Sequence, residues 1–219
     1  MIYFSSDYHF NNSLIYEYRK STPSSENLFN NIGEMNRLMV KNVNENLKDG
    51  DILYILGDFG DFEYLSQFNP KVKYMIILGN HDDIADDEGE IPLKTLKKVI
   101  DYNDLNVEII TCANKDVILD KRYSALKKKY ESIEILPILG GLFLLSHIPI
   151  NNSKLLKYSI NIHGHLHPGK FHGFTLKDDI NSRTYEDEER HWNVTVDYND
   201  FKPISLKSIY EKLGLLPID

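Results

Sequence analysis

The sequence predicts an α/β protein. Short apolar runs of strand length alternate with stretches of helical periodicity, and the strand runs end repeatedly in Gly, Asp, Asn or His. A strand buried on both faces reads as a near-continuous apolar run, whereas a helix covering a sheet carries apolar residues three and four apart. Buried strands that each stop in polar residues build a crevice at their carboxyl ends, where α/β proteins bind ligands. With 219 residues, 42% hydrophobic and 26% charged, the chain is expected to form one domain, residues 1–219, around a sizeable core.

The first strand is Ile2-Tyr3-Phe4, followed by Ser5-Ser6-Asp7-Tyr8-His9. Asp7 and His9 stand two apart and point the same way in extended backbone, which suits a mixed oxygen and nitrogen site as well as an ordinary polar turn. Residues 21–31 are polar and loop-like. Apolar residues at 32, 35, 38, 39, 43 and 47 then predict an amphipathic helix over residues 32–47, closed by Lys48-Asp49-Gly50. Residues 51–56 form the next strand and run into Gly57-Asp58-Phe59-Gly60-Asp61, where two glycines let the backbone turn and expose Asp58.

A short helix is expected over residues 64–68, then a strand over 73–78 that ends in Gly79-Asn80-His81-Asp82. The neutral amide oxygen of Asn80 can complete a site already rich in charge, while His81 and Asp82 read as a histidine with a carboxylate to orient it. Residues 82–90 are an acidic, solvated loop. Helix is expected over 93–100, strand over 107–111, a charged helix over 120–130 and strand over 133–139. After Gly140-Gly141 a buried strand delivers His147, and a strand over 158–162 delivers Gly164-His165-Leu166-His167. Residues 172–191 read as a loop, 193–198 as a last alternating strand, and Ser205 as the cap of a helix running to Leu213 and stopped by Gly214.

Five apolar strands therefore end in polar motifs, and those motifs hold five of the eight histidines: His9, His81, His147, His165 and His167. Asp7, His9, Asp58, Asn80, His81, His147, His165 and His167 are too many ligands for one ion. Two ions about 3.5–4 Å apart and sharing a carboxylate would use them as in two-metal phosphate ester hydrolysis.

Composition narrows the function further. The single cysteine, Cys112, can form no internal disulfide, and the N-terminus lacks a basic region followed by an apolar one, so a cytoplasmic, non-membrane protein is expected. A net charge of −8 disfavours long nucleic acid as the partner.

The ordered set Asp7-Tyr8-His9, Gly57-Asp58, Gly79-Asn80-His81-Asp82, His147 and Gly164-His165-Leu166-His167 resembles the calcineurin-like metallophosphoesterase superfamily. The segments Asn193-Val194-Thr195-Val196-Asp197 and Pro203-Ile204-Ser205-Leu206 are similar to those ending its small bacterial and phage-encoded members. The resemblance implies a four-layer α/β/β/α sandwich with a dinuclear site at the C-terminal ends of the strands. It implies one divalent ion on Asp7, His9, Asp58 and His167 and another on Asp58, Asn80, His147 and His165, with Asp58 as bridge. His81 matches the catalytic histidine, which binds no metal, with Asp82 as its orienting partner; His163, His172 and His191 match no motif position. Mn2+ is favoured, and Fe, Zn or Ni are compatible.

Two departures stand out. Small members carry Gly-His after the first block, where this chain has Asn11-Asn12. Ser/Thr protein phosphatases extend the second block with Asp-Arg-Gly, where this chain reads Asp61-Phe62-Glu63. The expected activity is attack of a metal-bridging hydroxide on a phosphodiester or small nucleotide. Alternatives are a nuclease of the same chemistry, a phosphomonoesterase or protein phosphatase, and a non-catalytic metal-stabilised binding module.

Overall fold

The computed structural model describes residues 1–22, 25, 27–82, 92–110, 133–138, 141–150, 155, 159–168 and 190–213. Strands β1 (Ile2–Ser5), β2 (Ile52–Leu56), β3 (Lys73–Ile77) and β4 (Val107–Ile110) pair in parallel in the order β4-β3-β2-β1, and a short antiparallel strand, β9 (Ile204–Ser205), closes the edge beside β1. A second sheet has the order β5 (Ile133–Ile138), β6 (Gly141–Ser146), β7 (Ser159–His163), β8 (His191–Asn193); β5 and β6 are antiparallel and the other pairs parallel. The helices are α1 (Ser13–Lys20), α2 (Ile32–Asn46), α3 (Pro92–Asn103) and α4 (Leu206–Lys212).

The two-residue period of a strand sorts its side chains between two cores. Tyr3, Leu53, Ile55, Tyr74 and Ile76 pack with Met35, Met39 and Val43 of α2 and with Leu96 and Val99 of α3. Their neighbours Phe4, Tyr54, Leu56, Met75 and Ile77 pack with Phe143, Leu145 and Ile162 of the second sheet and with Ile209 and Tyr210 of α4. Both faces of the central strands are thus buried, which is why they read as continuous apolar runs. Each fully buried Leu or Ile contributes about 1.5–3 kcal/mol over an exposed one. The layer order helix, sheet, sheet is that of the expected α/β/β/α sandwich, whose fourth layer is not represented among the described residues.

Most expected elements are present, with three differences. Helix α1 carries no obvious apolar stripe; Asn12 caps it by accepting from Ile15 N, and its buried face is Ile15, Tyr16 and Arg19. An inward arginine defeats a reading that counts charge as exposed. The alternating strand expected over 193–198 ends at Asn193, because the Asn193 side chain accepts from Thr195 N and turns the chain into a 3-10 turn at Val196–Tyr198. It is also not the last strand, since β9 follows. The expected helix at 64–68 is a 3-10 helix, Phe62–Gln67, begun by the Asp61 side chain accepting from Glu63 N. The expectations for 83–90, 120–130, 172–189 and Gly214 lie outside the described residues.

Candidate metal centre

The carboxyl ends of β1, β2, β3, β6 and β7 meet at one place because their turns are bonded to one another. Asp7 N donates to Gly57 O, His9 N to Asp58 O and Phe10 N to Phe59 O, so the first two motifs run side by side. Within that run Tyr8 and Phe10 turn into the core and Asp7 and His9 turn away from it. The backbone reaches this arrangement through left-handed conformations at Asp7 (φ 57°), His9 (φ 49°) and Asp58 (φ 52°), costly for residues with side chains and common at functional sites. Gly57, Gly79 and Gly164 stand where another motif passes. A Cβ on Gly57 would lie 2.5 Å from His147 Nδ1; one on Gly79 would land on Asp58 Oδ1, and one on Gly164 on Asp7 Oδ2.

Two groups of donor atoms result: Asp7, His9 and His167, and Asp58, His147 and His165, each with ligand atoms within 4.8 Å of one another. In the first, His9 Nε2 and His167 Nε2 are 3.3 Å apart and lie 3.8 and 3.7 Å from Asp7 Oδ1. That oxygen is buried without a hydrogen-bond partner, while Oδ2 accepts from His165 N and Thr195 Oγ1. His167 Nδ1 donates to Asp197 Oδ2 at 2.9 Å, which leaves the Nε2 lone pair facing His9 and Asp7. Burial, with His167 adding to it, pushes His9 down to about 3, so its ring is neutral and able to ligate.

In the second group, His147 Nδ1 lies 2.9 Å from Leu56 O and must donate to it. Its Nε2 then faces three acceptors: Asn80 Oδ1 at 2.8 Å, His165 Nδ1 at 3.3 Å and Asp58 Oδ2 at 3.4 Å. Burial opposes charge on His147, yet Asp58 and the Leu56 carbonyl raise it to about 10. A ring nitrogen set among the oxygens of Asn80 and Asp58 lies in a place suited to positive charge. These donors, like the unpartnered Asp7 Oδ1, fit divalent ions.

Asp58 joins the groups. Its Oδ2 is 3.6 Å from His9 Nε2 and 3.4 Å from His147 Nε2, and its Oδ1 accepts from His81 N at 2.9 Å. Burial pushes this carboxyl up, but His147, His9 and His81 outweigh it and hold Asp58 well below the usual carboxylate range. The expectation that Asp58 is exposed is corrected: it is 2% exposed, turned between the two histidine sets. His81 is exposed, its ring centroid 5.7 Å from that of His9 and edge-on to it.

Asp82 does not orient His81. Its Oδ2 accepts from Asp58 N and Gly79 N, and its Oδ1 from Phe59 N, so it staples the β2 and β3 turns together. Burial, and then the charge of Asp58, push it up to about 6. His163 and His191 are buried with their rings against each other and have no place in either donor group among the described residues; His172 lies outside the described residues. Asn11 has φ 61°, a glycine-like conformation at the position where small family members carry glycine, and Asn12 caps α1 where they carry histidine.

The pattern of the sequence did not identify Arg19 and Asp197 as site residues. Asp197 accepts from His167 and from both Nε and Nη2 of Arg19. Burial pushes it up, but Arg19 and His167 hold it well below the carboxylate range. The only signal was the place of Asp197 in the segment resembling small family members.

The chain is similar to known proteins in sequence and in fold. An uncharacterized protein of Methanocaldococcus jannaschii, MJ1445, is 26% identical over 216 residues, covering 95% of this chain and 88% of its own. The crystal structure of AQ665, a protein of unknown function from Aquifex aeolicus, matches the fold with a TM-score of 0.57 at 24% identity, over 97% of this chain and 98% of that one. Residues 1–202 match the family model described as calcineurin-like phosphoesterase. The family implies a dinuclear divalent-metal site, and two donor groups are present for it. On that match the chain belongs to the calcineurin-like phosphoesterases and is a metal-dependent phosphoesterase.

Proposed function

We propose that the chain hydrolyses a phosphodiester or small nucleotide in the cytoplasm. Asp7, His9, Asp58 and His167 would hold one divalent ion, and Asp58, Asn80, His147 and His165 the other. Mn2+ is the preferred occupant, ahead of Fe, Zn or Ni. One observation carries the assignment: a single oxygen, Asp58 Oδ2, lies within 3.6 Å of His9 Nε2 and 3.4 Å of His147 Nε2, the position of a bridging ligand. When bound, such a pair supplies charge neutralisation and a water acidic enough to serve as nucleophile near neutral pH.

The protein's own part is orientation and proton handling. Asp7 is fixed by two hydrogen bonds to one oxygen, His147 by Leu56 O, and Asp58 by His81 N, so the donors need little rearrangement. His81, anchored through its amide to Asp58 with its ring exposed, would hold a proton for the departing oxygen.

The preference for diesters is supported by Phe62. It occupies the place where protein phosphatases carry a phosphate-binding arginine, and here it is fully buried and stacked on Phe59 with centroids 4.8 Å apart. A monoester dianion needs extra cationic side chains more than a diester does. The Mn-loaded protein should therefore hydrolyse bis-p-nitrophenyl phosphate with a higher kcat/KM than p-nitrophenyl phosphate at one pH. A clear monoester preference would move the reading to a phosphatase. His81→Ala should keep both ions and lose about 10²-fold or more in turnover; an ion lost in that variant would make His81 a ligand.

A further inference from the structure

Arg19 is fully buried at the end of α1, and its guanidinium is surrounded by acceptors. Nε donates to Asp197 Oδ1 at 2.9 Å and Nη2 to Asp197 Oδ2 at 3.0 Å, a two-pronged pair. Nη2 also donates to Asp7 O at 2.6 Å and Nη1 to Tyr8 O at 2.9 Å, with the sulfurs of Met35 and Met39 at 3.8 and 3.9 Å. One cation thus holds the backbone that carries Asp7 and His9, both left-handed, and the carboxylate that fixes the ring of His167.

Those three residues are the ligands that belong to one metal position alone. Of the ligands confined to the other position, His147 is fixed by Leu56 O and meets Asn80 and the His165 ring directly, while the His165 backbone amide donates to Asp7 Oδ2; no hydrogen bond of Arg19 or Asp197 to any of the three is among those of the described residues. We propose, resting on the metal assignment above, that Arg19 and Asp197 are positioning residues for the Asp7–His9–His167 metal position. Asp197 accepts from His167 Nδ1 and so turns Nε2 toward Asp7 and His9, while Arg19 holds the Asp197 carboxylate in place by its two-pronged pair and the Asp7–His9 turn in its left-handed shape. Arg19 is closed to solvent and its charge is matched by Asp197, so it acts through the ligands and does not touch substrate.

The test is calorimetric titration of the metal-stripped protein with Mn2+, with elemental analysis of the bound ion. Wild type should bind two ions. Asp197→Asn, which keeps size, and Arg19→Lys, which keeps charge but loses the fork, should each weaken one ion about 10- to 100-fold and leave the other within about threefold. His9→Ala should weaken the same ion, and combining it with Asp197→Asn should add little further loss. Equal weakening of both ions, or of neither, in a wild type that binds two would overturn the positioning role while leaving the dinuclear reading intact. A wild type that binds one ion or none would overturn both. Should Arg19→Lys fail to fold, Asp197→Asn alone decides.

Discussion

At Asp58 one carboxylate oxygen faces His9 on one side and His147 on the other, while the second oxygen is spent on His81 N. A residue shared in this way has no substitute, because every other described donor lies in one group or the other. Asp58→Asn keeps the shape and removes the charge that draws cations from both sides. It should lose metal at both positions, whereas His9→Ala should weaken mainly one. Elemental analysis after reconstitution distinguishes the two outcomes, and an Asp58→Asn protein that retains two ions would contradict the bridging role.

The elements of this fold deliver their functional residues by turning sharply after a buried strand. Packing there is tight enough that glycine is a steric requirement at Gly79. A Cβ at that position would land on Asp58 Oδ1 and on the Asp58 backbone nitrogen, so the β2 and β3 turns would have to part. Gly79→Ala is expected to cost about 1–3 kcal/mol by overpacking and to release metal as Asp58→Asn does. Metal content measured beside far-UV circular dichroism would separate this local effect from unfolding. Normal metal loading in the variant would mean that the turns can shift without cost. Helix α1 makes the complementary point: its inner face holds Arg19, so it packs by polar satisfaction as well as by apolar burial.

Across the whole molecule the two donor groups stitch one sheet to the other. Asp7, His9, Asp58 and Asn80 follow strands of the first sheet, and His147, His165 and His167 follow strands of the second. The bridge between Ser6 and Thr195 joins the same two ends. Ions bound there stabilise the native state by mass action, about 2.7 kcal/mol for an ion at roughly 100 times its Kd. For a chain of this size each kcal/mol moves the melting temperature by about 2–4 °C. Chelation should therefore lower it by about 5–11 °C for each ion removed, and added Mn2+ should restore it in a concentration-dependent way. An unchanged melting temperature after both ions leave would mean that the sheets hold together without them.

Much of this was legible in the sequence. A polar motif closing a buried strand has no use in a core, so the five motifs marked the candidate site, and the order of most strands and helices followed from period, with α1, β8 and β9 as the exceptions. Pattern reading failed where burial is polar. Arg19 and Asp197 are 178 residues apart and find each other only when α1 and the turn after β8 fold against the first motif. Asp82 looked like a partner for His81 because it is next in sequence, but three backbone amides from two turns claim it. The sequence determined which atoms are available as donors, since that is covalent chemistry and local backbone geometry. Only the tertiary structure decided which donors share a position and what holds them there, because those depend on distances across two sheets that no spacing along the chain encodes.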